Sequence, residues 1–225
     1  EKNSKSIGKF EIWDAGGQRN ERSKWIHQFQ GVTGLIFVAA LNHYCQVLFE
    51  DEKVNAMHES IQLFDGTVNL EYFIDTEIIL FLNKEDLFRL RLREGLNLDI
   101  AFTNNPDWKD PDFQWNPQCN YKPKKPLNNN NNNNIDSNEI NILNGNNNSD
   151  TKEDEEFMVA YNKSLKFIED LYTSRCKKKA KTESETVLFV HVTNACDDNN
   201  IKKVFWDVQN IIIRANLKRF GLMNT

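Results

Sequence analysis

Asp14-Ala15-Gly16-Gly17-Gln18-Arg19-Asn20-Glu21-Arg22-Ser23-Lys24-Trp25-Ile26-His27-Gln28-Phe29 follows a short strand-like run, Lys9-Phe10-Glu11-Ile12-Trp13. A strand that ends in Asp and breaks into two glycines suits a phosphate or a metal. Glycine lets backbone N–H groups approach an anion with no Cβ in the way. The Asp14 carboxylate is a hard oxygen ligand for Mg²⁺, directly or through a water. Gln18 adds a neutral side chain that both donates and accepts, which suits holding a water in place. Taken alone, the same residues also describe an ordinary Gly-Gly turn.

Outward from this stretch the pattern is α/β. Leu35-Ile36-Phe37-Val38-Ala39-Ala40-Leu41 is a continuous apolar run, expected to form a parallel strand buried on both faces. Residues 50–65 carry Val54, Met57, Ile61 and Phe64 on one helical stripe, with His58 expected among solvated neighbours. Glu77-Ile78-Ile79-Leu80-Phe81-Leu82 is a second buried strand, ending in Asn83-Lys84-Glu85-Asp86. Strand, helix and strand with polar residues at a strand's carboxyl end is the arrangement in which ligands bind outside strand C-termini.

Residues 103 to about 150 break the order. All five prolines lie here, together with the asparagine run Asn128–Asn134, so residues 103–153 are expected to be a disordered, low-complexity Asn-rich insertion between the ordered parts 1–102 and 154–225. A helix resumes near Asp154 with Phe157, Tyr161, Leu165, Ile168 and Tyr172 on one face. Its acidic start and its basic end (Arg175, Lys177, Lys178, Lys179) both suit the helix dipole. The strand Thr186–Val192 ends in Thr193-Asn194-Ala195-Cys196-Asp197, and Asp197 or Asp198 is placed to cap a long final helix.

Composition narrows the class. A net charge of −5 gives no case for nucleic-acid binding. The four cysteines, Cys45, Cys119, Cys176 and Cys196, include no CxxC pair, which argues against structural zinc and a disulfide framework and fits a reducing compartment. Cys196 reads as a small buried or half-buried thiol. No apolar run approaches a membrane span, and nothing resembling a signal peptide precedes the first strand-like run. The first residue is Glu1, not Met, which reads as a fragment or a processed form.

At the second strand end, the Asp86 carboxylate can accept two parallel hydrogen bonds, which guanine offers from N1 and its exocyclic N2 and adenine does not. The stem of Lys84 can lie across a base face. A strand ending in DxGGQ, then one ending in NKxD, then one ending in a small-residue loop, resembles the Ras-like domain of heterotrimeric G-protein α subunits, a P-loop NTPase fold. Met57-His58-Glu59-Ser60, Leu63-Phe64-Asp65 and the tail Asn216-Leu217-Lys218 with Gly221-Leu222 have the same family character.

The resemblance implies a guanine nucleotide-binding signal transducer that couples receptors to effectors, with GTP/GDP and Mg²⁺ as cofactors. It implies that Asp14 holds a water on Mg²⁺ and that Ala15, Gly16 and Gly17 line the γ-phosphate, met by the Gly17 amide. Gln18 would orient the attacking water, the role for which this family is the standard worked case. Asn83, Glu85 and Asp86 would form the guanine site, with Lys84 over the ring and the Ala195 N–H on the base carbonyl. Arg22 and Glu21 would lock the switch. Lys24 and Trp25 would face a βγ dimer, and the C-terminal helix a G protein-coupled receptor. A downstream effector is also implied, as is a cytoplasmic location at the inner face of the plasma membrane, reached through partners.

Three departures limit the likeness. The base loop reads Thr193-Asn194-Ala195-Cys196 where the family has Thr-Cys-Ala-Thr, and Phe220 stands where some members carry a modified cysteine. No G-x-x-x-x-G-K-[ST] run occurs in the 225 residues, and the first switch and the helical domain are also missing. In the family fold the strand that precedes that run lies between the strands ending at Asp14 and near Leu41, so the sheet is expected to be partial. As part of a longer protein the chain is expected to belong to a GTP-hydrolysing switch. By itself it is expected to be a binding module for βγ or receptor that has lost tight GTP binding.

Overall fold

The computed structural model describes residues 10–27, 29, 31–123, 151–178 and 188–222. Three parallel strands, β1 (Gly34–Ala40), β2 (Glu77–Asn83) and β3 (Leu188–Val192), lie in the order β1-β2-β3. The helices are α1 (Ala56–Val68), α2 (Glu85–Arg93), α3 (Asp99–Phe102), α4 (Thr151–Arg175) and α5 (Asp198–Arg219). This is a small parallel sheet flanked by helices, a partial Ras-like P-loop fold.

The register sets the two faces. Phe37, Leu80 and Val190 stand in one row, and Ile36, Ile79 and Phe189 in the next. The first row faces α1 and α4, where Phe37 meets Phe64 edge-on at 5.1 Å and Phe64 meets Tyr172 at 5.4 Å. The second row faces α5 through Ile79, Val204 and Val208. Phe64 is fully buried, and truncating such a side chain to Ala costs about 3–5 kcal/mol.

Local chemistry fixes the helix ends. Asn55 caps α1, its Oδ1 accepting from the Met57 and His58 amides while its Nδ2 donates to the Tyr44 carbonyl at 2.8 Å. Asp197 caps α5 by accepting from the Asn199 and Asn200 amides, as expected. Gly221, at φ 67°, ends α5: its N–H bonds the Lys218 carbonyl and the Leu222 N–H the Leu217 carbonyl, the paired bonds of a Schellman motif.

Several expectations are corrected. Phe10–Trp13 is not a strand: it is exposed and has no ladder partner among the described residues, and a strand without a neighbour leaves its backbone to water. β1 is not buried on both faces. Ile36 is 38% and Val38 58% exposed, while α5 packs on β2 through Ile79 and its Ile212 lies against Gly34 at the start of β1. The helix expected over 50–65 runs from Ala56 to Val68, and residues before it form a loop closed by a Val47–Asn55 bridge.

His58 is buried rather than solvated. Its Nε2 donates to the Ala101 carbonyl at 3.0 Å and its ring lies 4.8 Å from Trp108. The partner Trp108 belongs to a stretch expected to be disordered. Residues 103–123 instead pack on the core: Trp115 and Tyr121 are buried, and Trp115 meets Phe167 edge-on at 5.4 Å. Composition counted the prolines there but missed four aromatic anchors, Trp108, Phe113, Trp115 and Tyr121. Helix α4 likewise begins at Thr151, inside the expected insertion. The asparagine run lies outside the described residues. Cys196 is exposed, not half-buried.

The basic end of α4 folds back on its own chain. Arg175 pairs with Asp110, Lys177 bonds Asp65 at 3.0 Å, and the Lys178 ammonium donates to the Thr76 carbonyl. These contacts engage Arg175, Lys177 and Lys178 within the chain, and Lys179 lies outside the described residues.

Candidate guanine-recognition site

The carboxyl ends of β2 and β3 lie side by side, and the loops that leave them are laced together. The Thr193 N–H donates to the Leu82 carbonyl at 2.8 Å, and the Glu85 N–H to the Thr193 carbonyl at 3.2 Å. The buried Thr193 hydroxyl donates to Asn83 Oδ1 at 3.1 Å, which turns the Asn83 amide N–H₂ outward with no partner among the described residues. Lys84 is the only non-glycine residue with positive φ among them, at φ 62° and ψ 42°. Backbone held in the left-handed region by a lysine is the kind of strain that collects at binding sites. It starts α2 in a sharp corner that leaves the Lys84 side chain exposed.

The two acids that follow have different fates. Glu85 accepts from Arg89 and from the Tyr161 hydroxyl at 2.7 Å, and burial plus the Glu85 charge push the Tyr161 hydroxyl well above its ordinary range. Glu85 is therefore a structural tie between α2 and α4. The Asp86 carboxylate, half-buried in the first turn of α2, makes no hydrogen bond or ion pair among the described residues.

A similar division runs through the β3 loop. The Asn194 N–H donates to Asn200 Oδ1 at 3.1 Å, the Cys196 N–H to Asn194 Oδ1 at 3.0 Å, and the Asp197 N–H to the Asn194 carbonyl at 3.1 Å. Between these satisfied amides the Ala195 N–H has no partner among the described residues, and Ala195 is exposed. Asn194 thus organises the loop that the family's cysteine occupies, and it keeps the one amide that the resemblance needs.

The Asp14–Phe29 stretch is pinned by its carbonyls. Trp25 Nε1 donates to the Gly16 carbonyl at 2.8 Å, Arg22 Nε to the Gly17 carbonyl at 3.3 Å, and the Glu21 N–H to the Gln18 carbonyl at 3.0 Å. The Gly17 N–H has no partner among the described residues, and a Cβ added at Gly17 would meet nothing within 4 Å. Asp14 and Gln18 are exposed, and Ala15 is half-buried.

Arg19 and Arg22 both reach Glu59 in the first turn of α1, at 2.8 and 2.7 Å. Hydrogen bonding to Arg19 leads the causes that hold the Glu59 carboxyl below its ordinary value. Residues 22–27 form a 3-10 turn whose Trp25 packs towards Phe29 and, through it, Phe73. A cavity of about 500 Å³ lies between this turn and α1, lined by Trp25, Phe29, Leu63, Leu70 and Tyr72 among others. The Glu59 anchor was not singled out from sequence; its signal was a carboxylate on the first helical turn opposite two arginines.

For a nucleotide, the residues fit one half and not the other. An unpaired carboxylate, an unpaired N–H and a free amide N–H₂ fit a guanine base. No group of three or more His, Cys, Asp or Glu able to hold a metal occurs among the described residues, and Asp14 offers a single exposed carboxylate. Among the described residues, no helix is long and apolar enough to cross a membrane.

The sequence profile described as "G-protein alpha subunit" matches residues 5–212. A curated relative, the guanine nucleotide-binding protein alpha-4 subunit of Caenorhabditis briggsae, is 36% identical over 213 residues, which is 95% of this chain. The chain spans 45% of that relative's length. On the matched residues, and on the strand-end geometry that accompanies them, the chain belongs to the G-protein α-subunit family.

Proposed function

We propose that this chain recognises the guanine base of GTP or GDP, as part of an α-subunit-type signal transducer. The observation that carries the reading is the pairing of an unspent acceptor, Asp86, with an unspent donor, the Ala195 N–H, at adjoining strand ends. Guanine presents donors at N1 and N2 and acceptors at O6 and N7. Asp86 takes the two donors, the Ala195 N–H meets O6, the free amide of Asn83 meets N7, and the Lys84 stem covers the ring. Adenine offers a donor where guanine has O6 and no N2 amine, so the same groups reject it.

The phosphate end is assigned more narrowly. The Asp14 side chain, the Gly17 N–H and the Gln18 side chain, without partners among the described residues, suit a Mg²⁺-bound water, a γ-phosphate and an attacking water in that order, but the 225 residues hold no phosphate loop. Hydrolysis with Gln18 as the catalytic residue therefore belongs to an assembly in which that cradle is supplied. The chain's own work is base recognition and partner contact.

A second reading is favoured by the cavity beside Trp25: the turn Arg22–His27 and α1 form an apolar contact face that suits a βγ or effector partner, with α5 turned to a receptor. Titration of purified chain with a fluorescent GDP analogue, followed by competition with unlabelled GDP and ADP, separates the two. The base reading expects displacement by GDP and not by ADP, and loss of binding in Asp86→Ala. Equal displacement by both nucleotides would leave only the partner reading standing.

A further inference from the structure

The β1 strand end brings a titratable side chain, His43, to the border of this site. β1 and β2 pair with Ala40 opposite Asn83, so the chain leaves both strands side by side, into the 3-10 turn Leu41–Cys45 on one side and Lys84 on the other. The turn is held against α2 by Tyr44, whose ring meets Phe88 edge-on at 5.8 Å and whose hydroxyl donates to the Leu96 carbonyl. The register therefore puts the turn that carries His43, half-buried, beside the corner where Lys84 begins α2. Burial first, and the charge of Lys84 second, hold the His43 imidazole below its ordinary value.

Other charges near the turn act elsewhere. Arg91 and Glu94 act on Tyr44 and Cys45, and Asp99 of α3 acts on Tyr44. On α1, Glu59 is held by Arg19 and Arg22, and His58 faces the Ala101 carbonyl. On α2, Glu85 is bound to Arg89. Among the described residues, Lys84 is the charged group that acts on His43.

We propose that His43 is a positioning residue for Lys84 at the base end of the site: uncharged, it leaves the Lys84 stem lying over the base, and charged, it drives that stem away, so that nucleotide binding weakens in acid. The proposal rests on the guanine reading above. Its physical basis is like-charge repulsion between a half-buried imidazole and an exposed lysine, a repulsion that added salt weakens. A neutral histidine is the side chain whose charge can change there between pH 5 and 8.

Two measurements on the whole chain test it. Affinity for a fluorescent GDP analogue should fall about fivefold between pH 7.5 and 5.5 in the native chain, and the profile of His43→Asn should be flat over that range. By NMR, the titration midpoint of the His43 ring should rise in Lys84→Met, which reports the coupling of the two charges, while the flat profile of His43→Asn reports its effect on binding. An unchanged midpoint in Lys84→Met overturns the proposal. So does a native pH profile that persists in His43→Asn, while the guanine reading survives. Absence of GDP binding at every pH overturns the guanine reading and the proposal with it, even if the two side chains are coupled by NMR.

Discussion

Replacing Asp86 by Asn isolates the chemistry of base recognition from the fold. The Asp86 side chain makes no hydrogen bond or ion pair among the described residues, so the near-isosteric change removes no internal contact. Its effect falls on the bound base alone. A carboxylate accepts from both N1–H and N2–H of guanine; the amide can accept from one and points its own N–H₂ at the other. Losing one charge-assisted hydrogen bond is worth about 1.5–3 kcal/mol, or about tenfold to about a hundredfold in affinity. Xanthine carries a carbonyl where guanine has its 2-amino group, and that carbonyl accepts the new N–H₂. Competition of GDP and XDP against a fluorescent analogue on both proteins is the assay. Asp86→Asn should bind GDP at least tenfold more weakly and should shift its preference towards XDP. Unchanged GDP affinity in Asp86→Asn, with the fold intact by circular dichroism, would refute the assignment of Asp86 to the base.

Three further outcomes follow from the contacts described. Glu59→Gln removes the common anchor of Arg19 and Arg22; opening of the 16–25 stretch should become easier by about 1 kcal/mol, seen as about fivefold faster tryptic cleavage after Arg19, Arg22 and Lys24, and an unchanged cleavage rate would count against the anchor. Trp115→Ala should cost about 3–5 kcal/mol in chemical denaturation, because Trp115 is 5% exposed and bonded to Asn120 at 2.7 Å; a cost under about 1 kcal/mol would return residues 103–123 to the status of a loose insertion. His43, His58 and His191 all have imidazoles held below 6.5 by burial. The unfolded chain then binds more protons than the folded one below that value, so stability should be flat above about pH 7 and fall as pH drops through 6; thermal midpoints should show this, and His58→Gln should flatten part of the slope.

The candidate base site was legible in part because residue type at fixed spacing marks it: Asn83–Asp86 and Ala195 each follow a strand, and the loops that leave those strands meet. The strands β1 and β2 announced themselves as apolar runs. What spacing did not reveal was which polar groups the chain would spend on itself. Glu85 and Asp86 are adjacent acids with equal claims in sequence, and only the placement of Arg89 and Tyr161 commits the first and frees the second.

Composition misled in the opposite direction over 103–123. Proline and asparagine content predicts disorder, yet Trp108, Phe113, Trp115 and Tyr121 gain enough from burial against Phe102, Phe157 and Phe167 to order the segment. His58 followed the same error, since its burial depends on Trp108 arriving from that stretch. Phe10–Trp13 had the alternation of a strand but no neighbour among the described residues, and a strand is a property of a pair.

The central claim is that the unpaired Ala195 N–H and the unpaired Asp86 carboxylate bind a guanine base, and the most direct measurement is the ¹⁵N–¹H resonance of Ala195 during titration with GDP and, separately, ADP. Saturating GDP should move that amide downfield by more than its neighbours Asn194 and Cys196, whose N–H groups are already bonded, while ADP leaves it in place. An Ala195 amide that is indifferent to GDP, or that moves equally with ADP, would contradict the account.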